Sequence, residues 1–129
     1  MSYYFSKELT LRFEEAIIKV TEALKSEGFG ILTEIDVKEI LKKKLDVDFK
    51  RYKILGACNP PYAYKALQTE DKIGTMLPCN VIVIEHKENK IEVAAVDPVS
   101  SMQAVDNINL SSIAEEIRTK LKKAVDSLD

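Results

Sequence analysis

The stretch VIVIEHKENKIEVAAV (Val81 to Val96) decides the fold. Two runs rich in β-branched residues, Val81 to Glu85 and Ile91 to Val96, flank five polar residues, His86 to Lys90. β-Branched side chains fit a pleated surface, and a polar loop of about five residues is a common hairpin connection. The pattern therefore predicts two antiparallel strands joined in sequence. The first of them, Val81 to Ile84, is apolar at every position instead of alternating, as in a strand covered on both faces.

Moving upstream, Tyr52 to Cys58 reads as another strand. It runs into Asn59-Pro60, where Asn is a favoured N-cap and Pro a favoured first helical residue. Ala63, Ala66 and Leu67 give that helix a buried stripe, and Gly74 and Pro78 bracket the loop after it. Gly30 to Ile35 forms an earlier strand. Asp36-Val-Lys-Glu39 then resembles a capping box opening a short helix with Val37, Ile40, Leu41 and Leu45 on one side. Leu11 to Glu27 carries Phe13, Ala16, Ile17, Val20 and Leu24 at helical spacing, with Thr10 as the expected cap and Gly28 at a left-handed C-terminus. Tyr3-Tyr4-Phe5 is a short first strand. Downstream, Val99 to Asn107 has no regular pattern. A long final helix follows through Ile113, Ile117, Leu121, Ala124, Val125 and Leu128, with its cap expected near Asn109 or Ser112. The order is β-α-β-α-β-α-β-β-α. That is an α+β chain with one mostly antiparallel or mixed sheet of about five strands, covered by helices.

Its 129 residues suffice for a single domain with one core. Nineteen basic against 21 acidic residues leave a net charge of -2, which gives no electrostatic footprint for nucleic acid. The opening MSYYFSKELTLRFEE lacks the basic and apolar regions of a secretion signal, and no apolar run approaches the ~20 residues of a membrane span. A cytoplasmic location without membrane or nucleic-acid partners is the expectation. In such a compartment the two cysteines, Cys58 and Cys79, are expected as free thiols, and two sulfurs are too few for a four-cysteine zinc site.

Each cysteine precedes an asparagine, in LGACNPP (Leu55 to Pro61) and LPCNVIV (Leu77 to Val83). Cys58 at a helix N-terminus is open to two readings. The positive end of the helix can lower a thiol pKa and favour a nucleophilic thiolate. A small, weakly polar residue also simply suits a tight strand-to-helix junction. Cys79 reads as a core residue or as a second thiol beside Cys58. Asn59 and Asn80 read as turn formers or polar ligands, and Asp97 in Asp97-Pro98 as a turn residue or a carboxylate near the cysteines. Hairpin geometry puts Cys79-Asn80 and Asp97 at the same edge. Met76 and Met102 are expected in packing; joined to both thiols they would form a soft donor set suited to Cu(I). The Lys42-Lys43-Lys44 run is a solvated helix face. No dinucleotide, phosphate-loop, zinc-protease or serine-hydrolase motif occurs.

At LGACNPPYAYKAL and GTMLPCNVIVIE the sequence resembles the domain of unknown function 302 family. GFGILTEIDVKEILKKKL (Gly28 to Leu45) and VAAVDPVSSM (Val93 to Met102) extend the similarity from about Phe13 to Leu121. The family's marked positions fall on Gly28, Phe29, Gly30, Cys58, Asn59, Pro60, Ala63, Gly74, Pro78, Cys79, Asn80, Asp97 and Pro98. The resemblance implies a compact α+β fold and a homodimer, and no defined activity or cofactor. The lone histidine, His86, lies outside the family's blocks, so a cysteine-histidine dyad is not implied. Three expectations stand together. The first is a module binding a small molecule or soft metal at Cys58, Asn59, Cys79, Asn80 and Asp97. The second is a thiol redox enzyme or sulfur carrier with Cys58 as nucleophile and Cys79 as second thiol. The third is that the motifs specify only the fold.

Overall fold

The computed structural model describes residues 2–129. Its elements are β1 (Tyr4–Leu9), α1 (Phe13–Ser26), β2 (Gly30–Asp36), α2 (Val37–Leu45), β3 (Tyr52–Cys58), α3 (Pro60–Thr69), a 3-10 turn (Asp71–Met76), β4 (Cys79–Lys87), β5 (Lys90–Val96), α4 (Pro98–Ser101) and α5 (Ile108–Asp126). The five strands form one sheet in the order β1-β5-β4-β3-β2, antiparallel at every junction. The expected α+β architecture is present. Two short helical pieces are added to the expected order, one of them inside the segment from Val99 to Asn107 read as irregular.

Alternation sorts the strand residues into two faces. Leu55 and Ala57 of β3, Val81 and Val83 of β4, and Ile91, Val93 and Ala95 of β5 are at most 1% exposed and form the inner face. Helices α1 and α5 lie against β1, β4 and β5 and against each other. They bury Phe13, Ala16, Val20 and Leu24 from α1, and Ile113, Ile117, Leu121 and Val125 among others from α5. The opposite face carries one row across all five strands: Ser6, Ala94, Ile82, Ile54 and Ile35, each paired with the next.

The end of α1 is a Schellman motif. Gly28 takes φ 88°, its N–H donates to the Lys25 carbonyl, and the Phe29 N–H donates to the Leu24 carbonyl. Leu24 and Phe29, the apolar pair that accompanies this motif, are both buried.

Several local expectations are corrected. The hairpin loop is not five residues. The strands run out to Lys87 and back from Lys90, leaving a turn at Glu88-Asn89 in which Asn89 adopts φ 62°, a left-handed conformation Asn tolerates. Thr10 does not cap α1; Arg12 holds that position without a side-chain bond. Asn107, not Asn109 or Ser112, caps α5, accepting from the Asn109 N–H at 3.1 Å. The Asp36 cap of α2 is present, accepting from the Glu39 N–H at 3.0 Å. Yet α2 buries none of its residues, and Leu45 stays 66% exposed. Of the two methionines expected in packing, Met102 is buried and Met76 is exposed. Among the described residues no helix is long and apolar enough to cross a membrane.

Candidate functional site

The register of the sheet decides which motif residues meet. Ala57 pairs with Cys79 across β3 and β4, so Cys58 lies one residue from the partner of Cys79. Both thiols are free and both line one cavity of about 280 Å³ at the β3–α3 junction. Its walls are Phe29, Leu32, Leu67, Leu77, Pro78 and Ile117. Ala57, Ala63 and Gly74 complete it, and their small size is what leaves the space open. Leu32 stands at the irregularity in the β2–β3 register between Ile31 and Thr33. The Leu77–Pro78 peptide before Cys79 is cis.

Helix α3 does not present the anion-binding end expected of it. Pro60 and Pro61 occupy its first two positions and have no N–H. The next two donors, on Tyr62 and Ala63, both bond the Asn59 carbonyl at 3.1 and 2.9 Å. No free donor is left in the first turn to stabilise a thiolate. Consistently, burial pushes the Cys58 thiol up, not down. Burial, reinforced by the neighbouring Cys58, pushes Cys79 up to about 11.

Asn59 holds the cap position but makes no local cap bond. Its Nδ2 instead donates to the Glu27 carbonyl at 3.1 Å, tying the end of α1 to the start of α3. Gly28 is required next to it, because a Cβ there would stand 3.1 Å from Asn59 Nδ2 on a left-handed backbone.

Asn80 and Asp97 leave the group. Asn80 follows Cys79 on the strand, so it emerges on the opposite face, where it is exposed beside Tyr3, Tyr4 and Ile82. Asp97 closes the register next to Cys79, as hairpin geometry requires, but its carboxylate is already engaged. Oδ1 accepts from the Val99 N–H at 3.0 Å and caps α4, while Oδ2 accepts from Arg118 Nε at 3.2 Å. Arg118 in turn lies over the Phe5 ring at 5.1 Å. Asp97 does not line the thiol cavity. Among the described residues no three His, Cys, Asp or Glu side chains are grouped to hold a metal ion. His86 is exposed and bonds Glu92 at 2.8 Å, away from both cysteines.

The raised thiols give a pH prediction. The folded-state pKa of Cys79 lies above its ordinary 9.0, so its protonated form is favoured by folding. That contribution is complete below about pH 9 and is lost as pH rises to about 11, by on the order of 2–3 kcal/mol. Urea midpoints between pH 8 and 11 should fall more steeply in the parent than in Cys79→Ala. Equal slopes would contradict the burial of this thiol.

Fold and cavity together define a small α+β domain with two protonated thiols in an apolar cleft. The chain matches the family described as Domain of unknown function DUF302 over residues 5–128, and it belongs to that family. It is also similar to the crystal structure of an uncharacterized conserved DUF302 protein from Bacillus stearothermophilus. That likeness has a TM-score of 0.89 and 28% identity, and it covers 98% of each chain. Among curated proteins no sequence matches this one.

Proposed function

We propose that the protein is a binding module for a small, uncharged, apolar molecule, held in the cavity that contains Cys58 and Cys79. The observation that carries this reading is the lining: aliphatic walls around two thiols kept protonated by burial. An apolar cavity of about 150 Å³ is known to take up benzene, so 280 Å³ suits a ligand on the order of ten non-hydrogen atoms. A charged ligand would lose its hydration without gaining a partner, since the first-turn donors of α3 are absent or used. A thiolate nucleophile draws no support from the raised Cys58.

The test is titration of the ¹⁵N-labelled protein with benzene, toluene and indole. Saturable shifts are expected at Cys58, Ala63 and Leu77, and loss of those shifts in Ala63→Phe, which fills the space. Absence of any saturable shift up to millimolar probe would overturn the reading. A second reading rests on the adjacency of the two sulfurs: a soft monovalent cation such as Cu(I) bound by two thiolates alone. It predicts that the protein withdraws Cu(I) from a chromogenic chelator only when both cysteines are present.

A further inference from the structure

We propose that a second copy of this chain covers the outer face of the sheet, making a two-fold dimer of stacked sheets. The inference is independent of the cavity. The outer face is apolar where α1 and α5 do not reach. Ala94, Ile82, Ile54 and Ile35 cross it in one row; Val96 and Ile84 lie in the rows on either side, with Tyr4 and Tyr52 at opposite corners. A cleft of about 330 Å³ opens there, lined by Tyr3, Tyr4, Asn80, Ile82, Ile84 and Ala94 among others. The all-apolar run of β4 is that of a strand covered twice, and the chain itself supplies cover on the inner side.

Three properties select a second copy as the occupant. Charge on this face is confined to one end, at Glu8, Glu92, His86 and Lys90, and His86 and Glu92 already pair. Such depletion of charge over an apolar centre is the mark of a protein interface and disfavours an ionic partner. Shape comes next. Five strands ~4.8 Å apart and about seven residues long make a nearly square platform, whereas one helix ~10 Å wide would cover two strands and leave three wet. A second sheet, stacked at ~10 Å with strands roughly aligned, matches the whole platform. Area is the third. The platform measures about 550 Å², and side-chain relief brings the buried surface near the ~800 Å² per partner of a standard stable interface. A neutral, flat, self-complementary patch of this size meets the requirement of an isologous contact, in which the same surface serves both subunits.

Sedimentation equilibrium of the intact chain from 1 to 100 μM decides the question. The expected mass is twice 14.6 kDa. Ile82→Lys and Ile35→Lys should each weaken the dimer by on the order of 100-fold or more, because each lysine enters a two-fold interface twice. Leu45→Lys, on the exposed side of α2, should leave the association unchanged. Far-ultraviolet circular dichroism checks folding; if Ile82→Lys does not fold, Ile35→Lys decides, since Ile35 is already exposed. A parent that stays at 14.6 kDa throughout overturns the proposal. So does a dimer that tolerates lysine at the sheet face, or one that Leu45→Lys breaks.

Discussion

A chain ending at Leu110 is expected to show no cooperative unfolding transition. The deletion removes nearly all of α5, which contributes Ile113, Ala114, Ile117, Leu121, Ala124 and Val125 to the core, and with it the buried Leu128. It also uncovers the inner residues of β1 and β5, against which α5 lies. Burying a large aliphatic side chain stabilises by ~1.5–3 kcal/mol. Ile113, Ile117, Leu121, Val125 and Leu128 together therefore contribute about 10 kcal/mol, as much as the whole net stability of an ordinary domain. Thermal and urea denaturation followed by circular dichroism should both lose their sigmoidal transition. A truncated chain that melts like the full one would mean that α1 alone suffices to cover the sheet.

The second large effect is expected at Gly56, in the middle of β3. A Cβ built there would overlap Thr33 Oγ1 of β2 and stand 2.7 Å from Cγ of Pro78, the residue before β4. The strand is flanked on both sides, and a proline ring cannot rotate away. Overpacking of this kind costs ~1–3 kcal/mol, and two simultaneous clashes put Gly56→Ala at the upper end. A fall in melting temperature of about 10 °C follows for a chain of this size. Gly30→Ala is the control, since nothing lies within 4 Å of its would-be Cβ. Indistinguishable melting of the two variants would show that β2 or the Pro78 segment shifts freely.

Those residues also mark where sequence reading succeeded and where it stopped. The span of β3 was legible residue for residue, because its apolar run ends in Asn59-Pro60-Pro61, which cannot continue a strand. The left-handed Gly28 was legible for the same reason: a helix pattern stopped at a residue with no Cβ. The hairpin turn was misread because β4 and β5 continue in polar residues beyond the core, where polarity no longer separates strand from loop. The separation of Asn80 from Cys79 could have been read, since neighbours on a strand always face apart. The unactivated Cys58 was also within reach, because LGACNPP itself shows that two of the first helical residues lack an N–H. The cavity was not legible. Its open space depends on Ala57, Ala63 and Gly74 converging from three elements, which only the register of the sheet and the placement of α3 bring about. Nor could the pattern Val37, Ile40, Leu41, Leu45 reveal that its helix would stay uncovered, since amphipathicity gives a face and not the surface it meets.

Both ends of α3 are fastened by asparagine side chains. Asn59 reaches from its start to the Glu27 carbonyl, and Asn107 donates to the Thr69 carbonyl at 2.9 Å and to Glu70 Oε1 at 3.2 Å. Between those two fastenings only Ala66 is buried. The helix that walls the thiol cavity is thus held by a few directional bonds and little apolar contact, whereas α1 and α5 are held by deep packing. Release of one amide frees an end of α3 at a net cost of about 1 kcal/mol, far below the global stability. Entry to the cavity then needs only a local opening, with the sheet and its two large helices still in place.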